Sequence, residues 1–215
     1  MNKVEVVLRE LSYKKKVIDA KELKEICKRY KFKYVETKKL LLITKSITPI
    51  FRGIYYVKDY NEKKTGILKY APIELVSEGL RKKGINWYFG LHTAIKMLGL
   101  THEVFTVRYI INDRYAETKT LNLGGSKFIF KKMKPSLFFG IRRRKTDNKI
   151  IINYSNLEKT ILDFLYFYKK RGKPNSVLSG TLREYEEELN INKLLRYARE
   201  YPTLVKRFVK GALDG

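Results

Sequence analysis

The chain has no glutamine, one cysteine, one tryptophan, five prolines and two histidines among its 215 residues. A lone thiol, Cys27, excludes an internal disulfide, and no Cys/His ligand set surrounds either histidine, so no metal or other cofactor is expected. No apolar run approaches the roughly 18 residues that a membrane span needs, and the N-terminus lacks a signal-peptide core. A cytoplasmic protein with no membrane partner is therefore expected. Missing glutamine alongside abundant Lys, Ile and Tyr leans towards a heat-adapted composition. Acidic residues are also scarce, 22 against 47 Lys and Arg, which leaves a formal net charge of +25. That excess makes nucleic acid the leading partner class, with a lysine-coated surface that binds nothing as the plain alternative. A hydrophobic content of 44% and sixteen tyrosines argue against disorder, and the length suits one or two domains.

The first 64 residues hold 18 basic against 8 acidic side chains. Val4, Val7, Leu8 and Leu11 recur at helical spacing. Asp19, three residues before Glu22, is a cap followed by a carboxylate that answers the free amides of a second helix. That helix carries Ala20, Leu23, Ile26 and Cys27 on one stripe and Lys21, Lys24, Lys28 and Arg29 on the wet side. Cys27 reads as a small core residue. After a turn at Lys31-Phe32-Lys33, residues 34–44 predict a third helix that buries Val35, Leu42 and one or both of Leu40 and Leu41, with Thr37, Lys38 and Lys45 nearer the opposite face. Ile50-Phe51 and Ile54 to Val57 are β-branched and aromatic around Arg52-Gly53, a compact hairpin. Helices and hairpin together have the form of a winged helix-turn-helix over residues 1–62, its last helix entering a major groove of double-stranded DNA. The expected DNA-binding residues are Lys33, Tyr34, Thr37, Lys38, Lys39, Lys45 and Arg52, with Tyr34, Thr37 and Lys38 as candidates for base contact. Lysine mostly meets phosphate, so binding should be strong and salt-dependent. A winged helix that binds protein instead of DNA stays open.

Residues 59–69 read as a polar linker. Pro72 opens a helix with Ile73, Val76 and Leu80 on one face, closed by Gly84, and another helix is expected over 89–98 with Gly99 as its stop. Strands are predicted at 104–111, 118–123, 127–132, 137–143 and 150–154. Ser155 and Glu158 read as a capping box for a buried helix over 157–168, followed by helices near 181–189, 191–201 and 203–213. The fold class expected is α+β, with residues 70–215 forming a second domain of helices around a mainly antiparallel sheet.

In this order, Arg52-Gly53-Ile54-Tyr55, Pro72-Ile73-Glu74-Leu75, Leu91-His92-Thr93-Ala94 with Leu98-Gly99-Leu100, and Leu157-Glu158-Lys159-Thr160-Ile161-Leu162-Asp163 resemble the AbiEi-like antitoxins of type IV toxin–antitoxin systems over nearly the whole chain. The resemblance implies an N-terminal winged helix that represses its own operon at inverted repeats in the promoter. It also implies a C-terminal α+β domain that counters a nucleotidyltransferase-like toxin. The recognition region here is richer in lysine than that pattern, with less of a Gly-rich turn before the wing.

Between Lys127 and Lys149 lie nine basic residues and one acid, Asp147. Lys127, Lys131, Lys132, Arg142, Arg143, Arg144 and Lys145 are expected to share a sheet face or edge as a second basic patch. It could grip DNA backbone, meet RNA or an acidic protein, or merely keep an edge strand from aggregating. No catalytic residue is expected. Gly124-Gly125-Ser126 lacks the paired downstream carboxylates that nucleotidyltransfer needs. Glu117-Thr118-Lys119 has the form of a nuclease triplet that arises freely in a lysine-rich chain. His92 and His102 read as packing or capping residues.

Overall fold

The computed structural model describes residues 3–12, 16–116 and 119–213. The chain is α+β, with one antiparallel and one mixed sheet. It divides into two compact units, residues 1–85 with 121–125 and 145–151, and residues 86–120 with 126–144 and 152–215.

The first unit runs α1 (Lys3–Ser12), β1 (Val17–Asp19), α2 (Ala20–Arg29), α3 (Tyr34–Ile43), β2 (Ile47–Phe51), β3 (Ile54–Val57), α4 (Tyr60–Thr65) and α5 (Pro72–Lys82). The apolar stripes of α1 and α2 meet Leu41 of α3 and Ile18, Ile47, Tyr55 and Val57 of the strands in one core. Helix α2 starts at the predicted cap. The Asp19 carboxylate accepts from the Lys21 and Glu22 amides at 2.8 Å, and that of Glu22 accepts from the Asp19 amide at 2.7 Å. Strand β1 was not expected, since three residues are too few to show a period. It pairs with β3, giving the antiparallel order β1-β3-β2. All four residues of β3 are buried, and Arg52 is exposed at the β2–β3 turn. Helix α5 crosses this sheet at Gly79, where a Cβ would lie 2.8 Å from the Phe51 ring. The stretch 59–69, expected as a linker, instead forms α4 under a second capping box, Asp59 with Glu62. The Glu62 carboxylate is buried and accepts from the Tyr56 hydroxyl at 2.5 Å and the Lys69 amide at 2.6 Å.

The remaining elements are β4 (Trp87–Phe89), α6 (His92–Leu98), β5 (Val107–Asn112), β6 (Thr120–Leu123), β7 (Ser126–Lys132), β8 (Ile141–Lys145), β9 (Ile151–Ser155), α7 (Leu157–Lys170), α8 (Asn175–Arg183), α9 (Ile191–Ala198) and α10 (Thr203–Leu213), which belong to the second unit except for β6, most of which falls in the first. The sheet order is β6-β7-β5-β4-β9-β8. It is mixed where a mainly antiparallel sheet was expected, because β5 runs parallel to β7 and β4 parallel to β9. Such neighbours are distant in sequence and leave no turn signal.

Several boundaries also move. The helix expected over 89–98 begins at His92, because Trp87–Phe89 is a strand and Leu91 has φ +54. Val104 lies outside β5 and is exposed. The strand expected from residue 137 starts at Ile141, after a 3-10 turn over Pro135–Leu137. The helix expected near 181–189 is α8, six residues earlier in its start.

Helix α7 is capped by Asn156 and not by Ser155. The Asn156 carboxamide oxygen accepts from the Lys159 amide at 3.0 Å, while the Ser155 hydroxyl pairs with that of Thr160 at 2.6 Å. As its composition predicts, α7 is buried almost all round, against α6, α8, α9 and α10.

Candidate nucleic-acid interface

Lys33 directly precedes helix α3 and is exposed, with its Nζ 3.3 Å from Glu36. Tyr34 is half-buried, and burial followed by its neighbour Tyr55 pushes its phenol up to about 12. The ammonium groups of Lys24 and Lys38 lie 5.3 and 5.6 Å from the Tyr34 ring centroid, so one aromatic holds two cations at the start of the helix. Lys39 and Lys45 are exposed, Lys45 just past the helix end with φ +53.

Thr37 overturns its expected place. It is fully buried, and its hydroxyl donates to the Lys33 carbonyl at 2.9 Å, which leaves nothing to meet a base. Val35 and Leu42, expected in the core, are 68% and 36% exposed, and Ile43 is 66% exposed. The helix is apolar on two faces, so its periodicity does not fix the phase. The hydroxyl of Thr37 suggested the wrong one, although its methyl suits a core and its oxygen can bond the preceding turn.

Charge on this surface is one-sided. Residues 19–45 contain nine cations and four acids. Asp19 and Glu22 are engaged in the α2 cap and by Lys82, whose Nζ lies 2.6 Å from Glu22. Glu36 is paired with Lys33 and, at 3.9 Å, with Lys3. The outcome is an apolar ridge on α3 flanked by lysines, with Arg52 exposed at a separate turn.

The second patch does not come together as expected. Lys127 and Lys132 are exposed on β7, but β8 with Arg142, Arg143, Arg144 and Lys145 lies four strands away, about 19 Å at a spacing of ~4.8 Å per strand. Lys131 is not on the surface. It is 3% exposed, its Nζ 4.9 Å from the Phe167 ring centroid. The β8 residues are a group of their own: β8 ends the sheet order, and its four cations are exposed on both faces of the strand. None of those four joins an ion pair among the described residues.

The other motifs resolve locally. Gly124 and Gly125 form the β6–β7 turn with φ +53 and +76, and a Cβ on Gly124 would lie 2.8 Å from Pro72. Asp147 is exposed in the other hairpin turn. Glu117 and Thr118 lie outside the described residues. His92 packs against Phe164 and Phe105 at 4.8 and 5.2 Å, and burial pushes its imidazole pKa down. It borders a cavity of about 50 Å³ with Tyr109, Lys131, Phe164 and Tyr168. Among the described residues no three His, Cys, Asp or Glu side chains gather at metal-binding distance, and no helix is long and apolar enough to cross a membrane.

Sequence reasoning missed a polar cluster inside the second unit. The Lys159 Nζ donates to Asp163 Oδ1 at 2.5 Å and to the Tyr201 hydroxyl at 2.6 Å, and the Tyr201 and Tyr88 hydroxyls donate to the two Asp163 oxygens at 2.6 and 2.8 Å. All four side chains are buried. The i, i+4 spacing of Lys159 and Asp163 within an otherwise apolar helix was the available signal. Compared with known proteins, the chain matches no protein-family model and no curated protein.

Proposed function

We propose that the protein is a non-catalytic, sequence-specific DNA-binding regulator whose first unit is a winged helix. The observation that carries this reading is the order α1–β1–α2–α3–β2–β3 closed by the sheet β1-β3-β2, with one face of α3 left open between lysines. In this reading α3 lies in a major groove, as the second helix of a helix-turn-helix does. Lys24, Lys33, Lys38 and Lys45 meet phosphates on either side, and Arg52 reaches a neighbouring backbone or minor groove. Lys39, on the open face, is the cation placed nearest to base edges. Counterion release then makes affinity fall steeply with salt, with a slope near −0.9 per phosphate contacted.

The resemblance to AbiEi-like antitoxins gives the reading its biological form, a cytoplasmic repressor of its own operon paired with a nucleotidyltransferase-like toxin. Footprinting the chain on the DNA upstream of its own gene tests this. Protection of a repeated site that is lost at high salt is expected, and failure to protect any site there would remove the autoregulation. Co-expression with a toxin encoded by the adjacent gene tests the pairing, with restored growth as the expected outcome.

A second reading has one observation behind it, the unpaired cations on the free edge strand β8. Four exposed, uncompensated charges on five residues suit RNA or an acidic protein as well as a DNA backbone. Replacing Arg142, Arg143 and Arg144 together by alanine separates these. Unchanged DNA affinity and salt slope would leave β8 to an RNA or protein partner or to protection against edge pairing.

A further inference from the structure

We propose that α3 reads thymine methyl groups, so the preferred site carries A·T pairs whose thymines are about three base pairs apart. The inference rests on the DNA-binding reading above and adds what the open face recognises. That face presents Val35, Glu36, Lys39, Leu42 and Ile43, with Val35 68% and Ile43 66% exposed. Phosphate contact has no use for such a ridge. In the major groove, guanine is read chiefly by Arg or Lys and adenine by Asn or Gln, while the thymine C5 methyl is met by apolar side chains. Helix α3 has no Arg, Asn or Gln, and with Lys38 over the Tyr34 ring, Lys39 is its one side chain placed to read guanine. Its one carboxylate, Glu36, has Lys33 at 3.3 Å and Lys3 at 3.9 Å, which offset its charge beside a duplex. Beside one donor from Lys39, apolar contact to methyls is the base readout that the two ends of the ridge offer.

Spacing follows from helix geometry. Val35 and Leu42 are seven residues apart, a rise of about 10 Å at ~1.5 Å per residue. DNA rises ~3.4 Å per base pair, so the two ends of the ridge meet methyls about three steps apart. A second copy of the chain is a poorer occupant. Stacking this face on itself would bring Lys24, Lys33, Lys38 and Lys39 against the same charges, whereas a duplex offers phosphates to all four.

The test begins with selection of the full chain on a random duplex library. Enriched sites are then resynthesised with deoxyuridine for thymidine, which removes the methyl alone, and affinities are measured by fluorescence anisotropy. We expect enrichment of paired thymines at the stated spacing and about a four-fold loss for each contacted methyl removed. Val35→Ser, on an exposed position that leaves the core intact, removes both methyls and should abolish the uridine penalty at one thymine and keep it at the other. Enriched sites that bind equally well with uridine, or that lack thymine at this spacing, would overturn the methyl readout while leaving DNA recognition standing. Binding that is absent or equal on every duplex would overturn both. A loss of self-association in the Val35→Ser variant, with DNA affinity unchanged, would assign the face to a second copy and overturn the proposal.

Discussion

Lys159 illustrates how strongly one residue can be constrained here. Burial pushes its ammonium pKa down and Asp163 opposes the shift, with the net direction downward. The pair survives burial because Tyr88 and Tyr201 fill the remaining lone pairs of the carboxylate. Asp163→Asn preserves the shape but leaves the lysine without a counter-charge. It should cost about 3–5 kcal/mol in urea unfolding, the range for breaking a buried ion pair. A loss below ~1 kcal/mol would mean that Lys159 is already neutral in the folded protein. Thr37→Ala addresses the residue whose sequence reading failed. It should lower stability and leave DNA sequence preference unchanged, since the side chain is enclosed. Comparison of selected sites for the two proteins checks this.

At the scale of elements, caps and close approaches carry the testable content. Asp19→Ala removes the accepted hydrogen bonds at the start of α2 and should cost about 1 kcal/mol in thermal unfolding. Gly79→Ala would improve helix propensity in α5, yet its methyl would press on Phe51, so a net loss of roughly 1–3 kcal/mol is expected. A stabilised variant would show that the Phe51 ring gives way. These elements also show what was legible in the sequence. The Asp19–Glu22 capping box and long apolar stripes pointed to α1, α2 and α7, because their signals are local. The three-residue strands β1 and β4, the parallel neighbours of β5 and β4, and the phase of α3 depend on partners far along the chain. In the candidate interface, Lys33, Lys39, Lys45 and Arg52 are exposed and Lys38 is partly so. Val35 and Leu42 were expected in the core instead, because an exposed apolar residue looks like a core residue in a sequence.

Across the whole molecule, phenols decide the alkaline limit. Burial raises the pKa values of Tyr34, Tyr56, Tyr88, Tyr185 and Tyr201 above the ordinary value of 10. The unfolded chain therefore releases those protons first, so this stability is complete below pH 10 and is lost as pH rises above it. Lys159, with a lowered pKa, contributes in the opposite sense, since its unfolded form holds the proton up to the ordinary lysine range. With Tyr168 raised by burial as well, these phenols outnumber the one amine and set the direction. Tyrosinate absorbance should lag a free-tyrosine titration and then rise with loss of the folded signal.

The net charge of +25 makes some DNA attraction inevitable, so affinity alone is a poor test of a regulator. The decisive measurement is anisotropy with the full chain on its own promoter and on an unrelated duplex of equal length, across a salt series, for wild type and Lys39→Ala. Tighter promoter binding by wild type is predicted, reduced by about 1–3 kcal/mol in the variant, with a much smaller effect on the unrelated duplex. Equal affinity for both duplexes, or an equal loss on both, would contradict sequence reading by α3.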